Sequence, residues 1–496
     1  MTDSYKDIVV SDPVTPFGEV SVAEDTPVVQ LDATLGLKTQ QEVEVYTGTT
    51  GSVAVEDTGT GYEWRCQTGT DVGGYGIVRS QNAVAYKPGQ GSVYRFTARF
   101  DEGVALSSMR AGAIAVGNEL SFGYNGVDFG ILHRTAGKLE IRKLTITAAA
   151  SGNETATVTL NDIEYTVSLT SGTIVHTCVE LAADDYNSVW VATSNDETVL
   201  FIGQAVGAQS GTYSFSSTGT AAGTFEQVAA GADVVDTWYL QEEWNVNRCD
   251  GSGPFPMVLN PQNGNVFQIK QQYLGYGNID FHIENPANGK FQMVHRIHYS
   301  NNYQSPSLMA PSFKMGVFAA SIGSTTNLNA YMASMFGANQ GKSISTINPD
   351  SHGNTNTNVT TTTANILSIR VRPEINGIIQ LREIKALLAT FASDGTKPAV
   401  VYLYLNPTLS GDPDWQYHEG NTTDAITEVM TTTVDVDVND GVTLELGTFG
   451  LARVDSEVVD LEKLGITVKR NDVLTLAAQS TSGSTEITGS LIWKVK

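Results

Sequence analysis

The chain has 496 residues, room for about three domains. Its hydrophobic fraction of 41% is enough to build cores and excludes a globally disordered chain. With 29 Lys and Arg against 53 Asp and Glu, the formal net charge is -24, a field that repels nucleic acid phosphate and anionic lipid, so no nucleic acid partner is expected.

Charged residues make up only 17% of the chain, against roughly 25% in ordinary domains. Thr, Ser, Asn and Gly fill the difference, which suits sheets whose exposed faces carry hydroxyls. The three cysteines, Cys66, Cys178 and Cys249, are far apart and odd in number, which argues against a disulfide framework and for synthesis in a reducing compartment. The first residues show neither a basic n-region nor an apolar h-region, so no signal peptide is expected. No run of about 18 apolar residues occurs, so no membrane span is expected.

In chain order, residues 1–45 are polar with short apolar islands, and Pro13, Pro16 and Pro27 oppose a helix. This reads as an extended arm that docks on a neighbouring domain or subunit through Phe17, Val28, Val29 and Leu31, with a frayed terminus as the alternative. Residues 46–235 carry short strand-like runs separated by turn residues, including Val93 to Phe100, a hairpin around Asn125 and Gly126, and another around Asn161 and Asp162. The pattern predicts a β-sandwich with no helix of ten residues. Residues 236–345 read as a middle β domain built on a hairpin. Ile279, Phe281 and Ile283 alternate with Asp280, His282 and Glu284, and Asn288 and Gly289 make the turn. Residues 346–364 are Ser, Thr and Asn almost throughout and read as a loop or linker, with an exposed Thr-rich strand as the alternative. Residues 365–496 read as a second sandwich. Within it the stretch from Ile378 to Leu388 is assigned as strand, although its apolar residues also fit helical spacing. The expected fold class is therefore all-β, an extended N-terminal arm followed by several antiparallel, jelly-roll-like β-sandwich domains.

Candidate chemistry is sparse. Glu242 and Glu243 beside Trp244 are adjacent on one strand, so they point to opposite faces and cannot flank one glycosidic bond. Asp412, Asp414 and Glu419 share a loop with Trp415 and Tyr417, exposed aromatics that could contact a glycan. The run from Asp435 to Gly441 begins like an EF-hand, but its glycine comes one position late and Leu446 stands where the bidentate Glu belongs. His282 and His295 pair across the hairpin turn if Asn288 and Gly289 are its two central residues, yet a third metal ligand on that face is missing. No G-x-S-x-G, P-loop or basic patch occurs. No catalytic residue, cofactor or metal is expected, and the chain is not read as an enzyme.

Several stretches carry a resemblance. Val14 to Leu31 (VTPFGEVSVAEDTPVVQL) resembles the opening of a family of virion structural proteins of tailed bacteriophages. Tyr86 to Gly91, Arg95 to Ala98, Phe122 to Tyr124, Phe129 to Arg134, Tyr213 to Ser217 and Gly219 to Phe225 are similar to the family's first globular module. Asn265 to Ile269 with Gln272 to Gly277 look like its middle module, and Asp394 to Pro398 with Asn406 to Leu409 like its C-terminal one. The matching residues are structural and turn residues. The resemblance therefore implies architecture and virion membership, as a tail, fibre, spike or baseplate-associated protein or as a capsid decoration or capsid fibre protein, and brings no active site. It implies synthesis in the host cytoplasm, location in the virion, other virion proteins as partners, and a homo-oligomer. A trimer is favoured and would have to form through sheet faces, because no heptad run supports a coiled coil. A host surface glycan is the further partner that Trp415 and Tyr417 suggest.

Overall fold

Alternation along Ser92–Phe100 puts Phe96, Ala98 and Phe100 on one face and Arg95, Thr97 and Arg99 on the other. The same period of two recurs along the chain and produces an almost entirely β structure. The computed structural model describes residues 25–39, 42–341, 349–375, 377–418, 425–437, 441–449 and 455–495. It divides into two units, Met1–Gly137 with Val234–Ile344, and Lys138–Asp233 with Ser345–Lys496.

The first unit is a sandwich of two antiparallel sheets. A nine-stranded sheet runs in the order Lys290–Ile297, Ile279–Asn285, Asn265–Gln271, Ser92–Phe100, Asn329–Met332, Tyr62–Gln67, Ser52–Asp57, and Ser334–Gln340 also pairs with Ser92–Phe100. A seven-stranded sheet runs Val235–Leu240, Asp128–Thr135, Asn118–Asn125, Ser107–Ala115, Lys314–Ser321, Tyr75–Ser80, Val43–Gly48. Their inner faces meet through aromatic rings, with Phe122 of the second sheet 4.6 Å from Phe267 and 5.5 Å from Phe281 of the first. Burying each such ring contributes on the order of 1.5–3 kcal/mol.

These pairings correct the expected boundary at residue 236. Asn265–Gln271 lies against Ser92–Phe100, and Lys314–Ser321 sits between Ser107–Ala115 and Tyr75–Ser80. Residues 236–345 therefore complete the sheets begun by residues 43–135 and do not form a middle domain of their own. The composition change near residue 236 marks the return of the chain from an insertion, Lys138–Asp233. Sequence order cannot show this, because antiparallel strands pair as readily across an inserted module as across a turn.

In the second unit, the inserted module pairs a four-stranded sheet (Trp190–Asn195, Thr198–Val206, Leu139–Ala148, Ala222–Ala229) with a three-stranded one (Ile163–Leu169, Glu154–Leu160, Tyr213–Ser217). The turn between Glu154–Leu160 and Ile163–Leu169 has Asn161 at φ +54 and Asp162 at φ +66, the two left-handed residues that a type I′ hairpin needs. The module also holds a helix, Ile174–Ala183, which the strand pattern did not predict. Thr173 caps it by accepting a hydrogen bond from the His176 N–H at 3.1 Å, and Cys178 and Leu181 turn inward onto the module's core. The signal was present as a capping threonine followed by apolar residues at helical spacing, but the β-branched residues at its start masked it.

The rest of the second unit is the C-terminal sandwich, of five and eight strands. Ile366, Ile369, Leu403, Leu476, Leu491 and Trp493 lie in its core. The expected linker is in part a strand, Asp350–Val359, paired along Thr485–Val495. Thr355 and Thr488 exchange a hydroxyl hydrogen bond at 2.9 Å, and Asn354 Nδ2 donates to the Ile366 and Thr431 carbonyls. Its polar side chains make the interactions that would otherwise come from apolar packing. The stretch from Ile378 to Leu388 assigned as strand is strand in part: Ile378–Ile379 pairs with Glu374–Ile375, residues 380–383 lie outside any strand, and a longer strand runs Ile384–Ser393.

Candidate functional site

The N-terminal residues expected on a partner surface lie in their own sandwich. Asp25–Asp32 pairs antiparallel with Ser334–Gln340, with a bulge between Pro27 and Val29. Proline cannot donate to a ladder, so a bulge there is its natural place. Val29 is 2% exposed in the core, and Val28 and Leu31 pack against the same core. Arg95 reaches Asp25 at 3.5 Å. Phe17 lies outside the described residues.

The loop carrying the two expected glycan contacts also faces inward. Trp415 is 3% exposed and packs with Met430 and Val434, so it is not a surface aromatic. The Arg370 guanidinium lies over its ring at 4.2 Å, and Arg372 lies over Tyr417 at 4.5 Å. Arg370 Nε donates to Glu428 Oε2 at 2.5 Å and its Nη2 to the Ser194 carbonyl at 2.8 Å. Asn195 Nδ2 donates to the second Glu428 oxygen at 2.8 Å, and the Asp196 N–H to the Trp415 carbonyl at 3.0 Å. Trp415, Arg370 and Glu428 thus bind the inserted module to the C-terminal sandwich. Charged and aromatic groups that read as ligand contacts in one dimension are partners of each other in three.

The acidic candidates take similar parts. Asp412 Oδ1 is 2.5 Å from His176 Nδ1 on the inserted helix, and His176 Nε2 is 3.2 Å from Glu180. The Asp412 hydrogen bond, with the charges of Asp412 and Glu180, raises the His176 pKa against the opposing effect of burial. Asp414 is raised by burial and by the charge of Asp196. Glu243 accepts from the Leu240 N–H at 2.8 Å, closing the short turn Gln241–Glu243, and Trp244 is buried behind it. Asp435 and Val436 pair with Ser410 and Leu409, while residues 438–440 and Glu419 lie outside the described residues.

The hairpin histidines do not pair. The turn holds four residues rather than two, so Asn285 faces Lys290 and His282 faces Met293. A bulge at Val294 then sets His295 opposite Phe281. Burial, with Lys270 and Arg296 nearby, pushes His282 down to about 3, and burial pushes His295 down to about 4, so both rings are neutral near pH 7. Among the described residues no group of three or more His, Cys, Asp or Glu is placed to hold a metal ion. Cys66, Cys178 and Cys249 are free and buried, and burial pushes each thiol up to about 12.

One surface of the first unit stands out. Two loops, residues 272–278 and 298–312, leave the ends of the strands Asn265–Gln271, Ile279–Asn285 and Lys290–Ile297. They are tied together by tyrosines: Tyr273 donates its hydroxyl to the Leu308 carbonyl at 2.6 Å, and Tyr276 to the Gln304 carbonyl at 3.0 Å. The Ser307 N–H donates to the Gly275 carbonyl at 2.9 Å. Leu274 at φ +36, Gly275 at φ +81 and Asn301 at φ +62 hold left-handed backbone that these bonds over-determine. Tyr299 and Tyr303 stack at 4.2 Å and 19°, Tyr276 stands 6.5 Å from Tyr299, and Tyr86 meets Tyr273 edge-on at 5.0 Å. Tyr303 is 53% exposed, Leu274 54% and Tyr276 38%. No charged motif marks these loops in the sequence, since residues 271–279 and 297–313 contain no Asp, Glu, Lys or Arg.

No protein-family model matches this chain, and no curated protein sequence matches it. Among solved structures, "Cellulose induced protein, Cip1" is similar at 8% identity and a TM-score of 0.28, covering 62% of this chain and 96% of that one. "Binding domain of Botulinum neurotoxin DC in complex with rat synaptotagmin II" is similar at 10% identity and a TM-score of 0.28, covering 88% and 78%. The binding domain of botulinum neurotoxin serotype C1 follows at 7% and 0.26, covering 93% and 98%. Likeness at this level carries no argument about function.

Proposed function

We propose that the chain is a structural protein of a tailed-bacteriophage virion, part of a tail fibre, spike or other tail-attached assembly, and that it acts by adhesion and not by catalysis. The observation that carries the reading is the resemblance of Val14–Leu31 and of the stretches from Tyr86 to Leu409 to that family. The sandwich architecture supports it, since most of the resembling residues from Asp25 onward fall in strands and turns of antiparallel sheets. Free, buried cysteines suit a protein folded in host cytoplasm. Among the described residues Asp25–Asp32 pairs with one strand, Ser334–Gln340. The working form is a homo-oligomer, a trimer by preference, held by sheet faces. A capsid decoration or capsid fibre protein is the second reading, and the same residues support it.

The test is incorporation into particles. A truncation that ends at Glu24 spares the paired strand, whereas removal of residues 1–45 would tear Asp25–Asp32 out of its sheet. The shorter truncation should fold, by thermal melting, and be missing from purified particles. Its normal incorporation would remove the arm from the proposal, and absence of the full-length chain from particles would remove the proposal itself. Imaging of labelled particles separates tail from capsid.

A further inference from the structure

We propose that the tyrosine surface formed by residues 272–278 and 298–312 is a binding site for a neutral polysaccharide. The inference does not rest on the virion reading, and it moves the glycan contact away from Trp415 and Tyr417, which are occupied by Arg370 and Arg372.

Six of the chain's 19 tyrosines gather here, Tyr86, Tyr239, Tyr273, Tyr276, Tyr299 and Tyr303. A core needs no such concentration, and three of the hydroxyls hold the loops by donating to backbone carbonyls, those of Tyr273, Tyr276 and Tyr299. The loops are therefore rigid, and Tyr303 is presented with one face against Tyr299 and more than half of its surface open. A pyranose ring offers a face of C–H groups that stacks on such an aromatic plane. Tyrosine supplies this contact with few rotatable bonds to freeze, so little entropy is lost on binding.

Polar groups complete the recognition. Asn301, Asn302 and Gln304 are exposed around Tyr303, and amide side chains both donate to and accept from sugar hydroxyls. The charge pattern selects the class of glycan. The two loops carry no acidic residue, Lys or Arg, while the whole chain carries -24. The two loops supply no Lys or Arg to pair a uronate, sulfate or sialate, and the overall field repels them. Leu274, exposed beside Tyr276 and held at a positive φ, adds apolar surface at the edge of the platform.

The experiment is affinity electrophoresis of the full chain in gels containing laminarin, mannan or arabinogalactan as neutral probes and alginate or heparin as acidic ones. At least one neutral polysaccharide should retard the protein, and neither acidic one should. Tyr303→Ala with Tyr276→Ala should weaken that retardation tenfold or more, and Tyr303→Phe, which keeps the ring, should preserve most of it. Should the double variant not fold, Tyr303→Ala alone is read in its place. Migration unchanged by every neutral probe overturns the proposal, as does undiminished retardation of the alanine variants. A change of sedimenting mass in Tyr303→Ala without loss of retardation also overturns it, because the surface is then a contact between copies. None of these results depends on particle incorporation.

Discussion

Trp415 and Tyr303 both sit in polar loops that hold proline and more than one aromatic residue, yet one is buried and the other half open. The difference lies in what stands opposite. Trp415 meets the Arg370 guanidinium, itself fixed by Glu428 and the Ser194 carbonyl, so its ring closes a joint within the second unit. Tyr303 stacks on another tyrosine, Tyr299, and neither its own loop nor the adjoining one carries an Asp, Glu, Lys or Arg to claim its outer face. An aromatic residue is available for a ligand only where the chain supplies no cation or apolar partner first.

The sharpest way to break this contrast is to remove the anion that holds Arg370. Glu428 is buried and binds both Arg370 and Asn195. Glu428→Ala leaves a mostly covered guanidinium, 15% exposed, without its counter-charge, a loss of about 3 kcal/mol. A fall in the thermal midpoint of the second unit's transition checks it, and an unchanged midpoint would mean that the joint contributes nothing. Trp415→Ala should cost a similar amount, about 3 kcal/mol, because it opens a cavity beside Met430 and Val434 and strips Arg370 of its aromatic platform. Trp415→Phe should recover more than half of that loss.

This joint also marks how far the sequence could be read. Strand alternation and the turn residues Asn125, Gly126, Asn161 and Asp162 are local, so the all-β class and most hairpins were visible. The partnership of Trp415 with Arg370 is not local, and neither is the pairing of Asn265–Gln271 with Ser92–Phe100 across an inserted module. The hairpin register failed for a local reason of another kind. Asn288 and Gly289 end a four-residue turn, and the bulge at Val294 reverses the parity on which the His282–His295 pairing depended. The tyrosine surface was hidden because its chemistry lies in ring faces, which carry no motif.

Smaller effects come from the carboxylates at the joint. Asp414 is raised by burial and by Asp196, so its charged form is disfavoured in the fold. A carboxylate with a raised folded-state pKa favours the folded state at low pH and withdraws that support as pH rises through the folded value. At neutral pH Asp414→Asn should therefore stabilise the second unit, by no more than about 1 kcal/mol for a partly solvated group. An increase in thermal midpoint at pH 7 that vanishes near pH 4 checks both sign and cause. His176 gives a pH dependence of the same sign for a different reason: its pKa is raised mainly by the Asp412 hydrogen bond, which favours the charged ring. Its contribution is complete below the ordinary histidine value near 6.5 and is lost as pH rises through the higher folded value. Asp412→Asn should flatten the pH dependence of stability above pH 6.5, and a slope that survives the substitution would assign the effect elsewhere.

The smallest expected effect is the one that most directly separates the two loops. Tyr303→Ala removes a ring stacked on Tyr299 and 53% exposed, so the loss should be about 1 kcal/mol, the size of one aromatic pair. The Tyr276 hydroxyl bond to Gln304 and the Tyr273 bond to Leu308 remain to hold the two loops together. Thermal melts of Tyr303→Ala and Trp415→Ala side by side put the contrast on one scale. If Tyr303→Ala costs as much as Trp415→Ala, the ring is a structural support like the tryptophan, and its exposed face is no longer surface held ready for a partner.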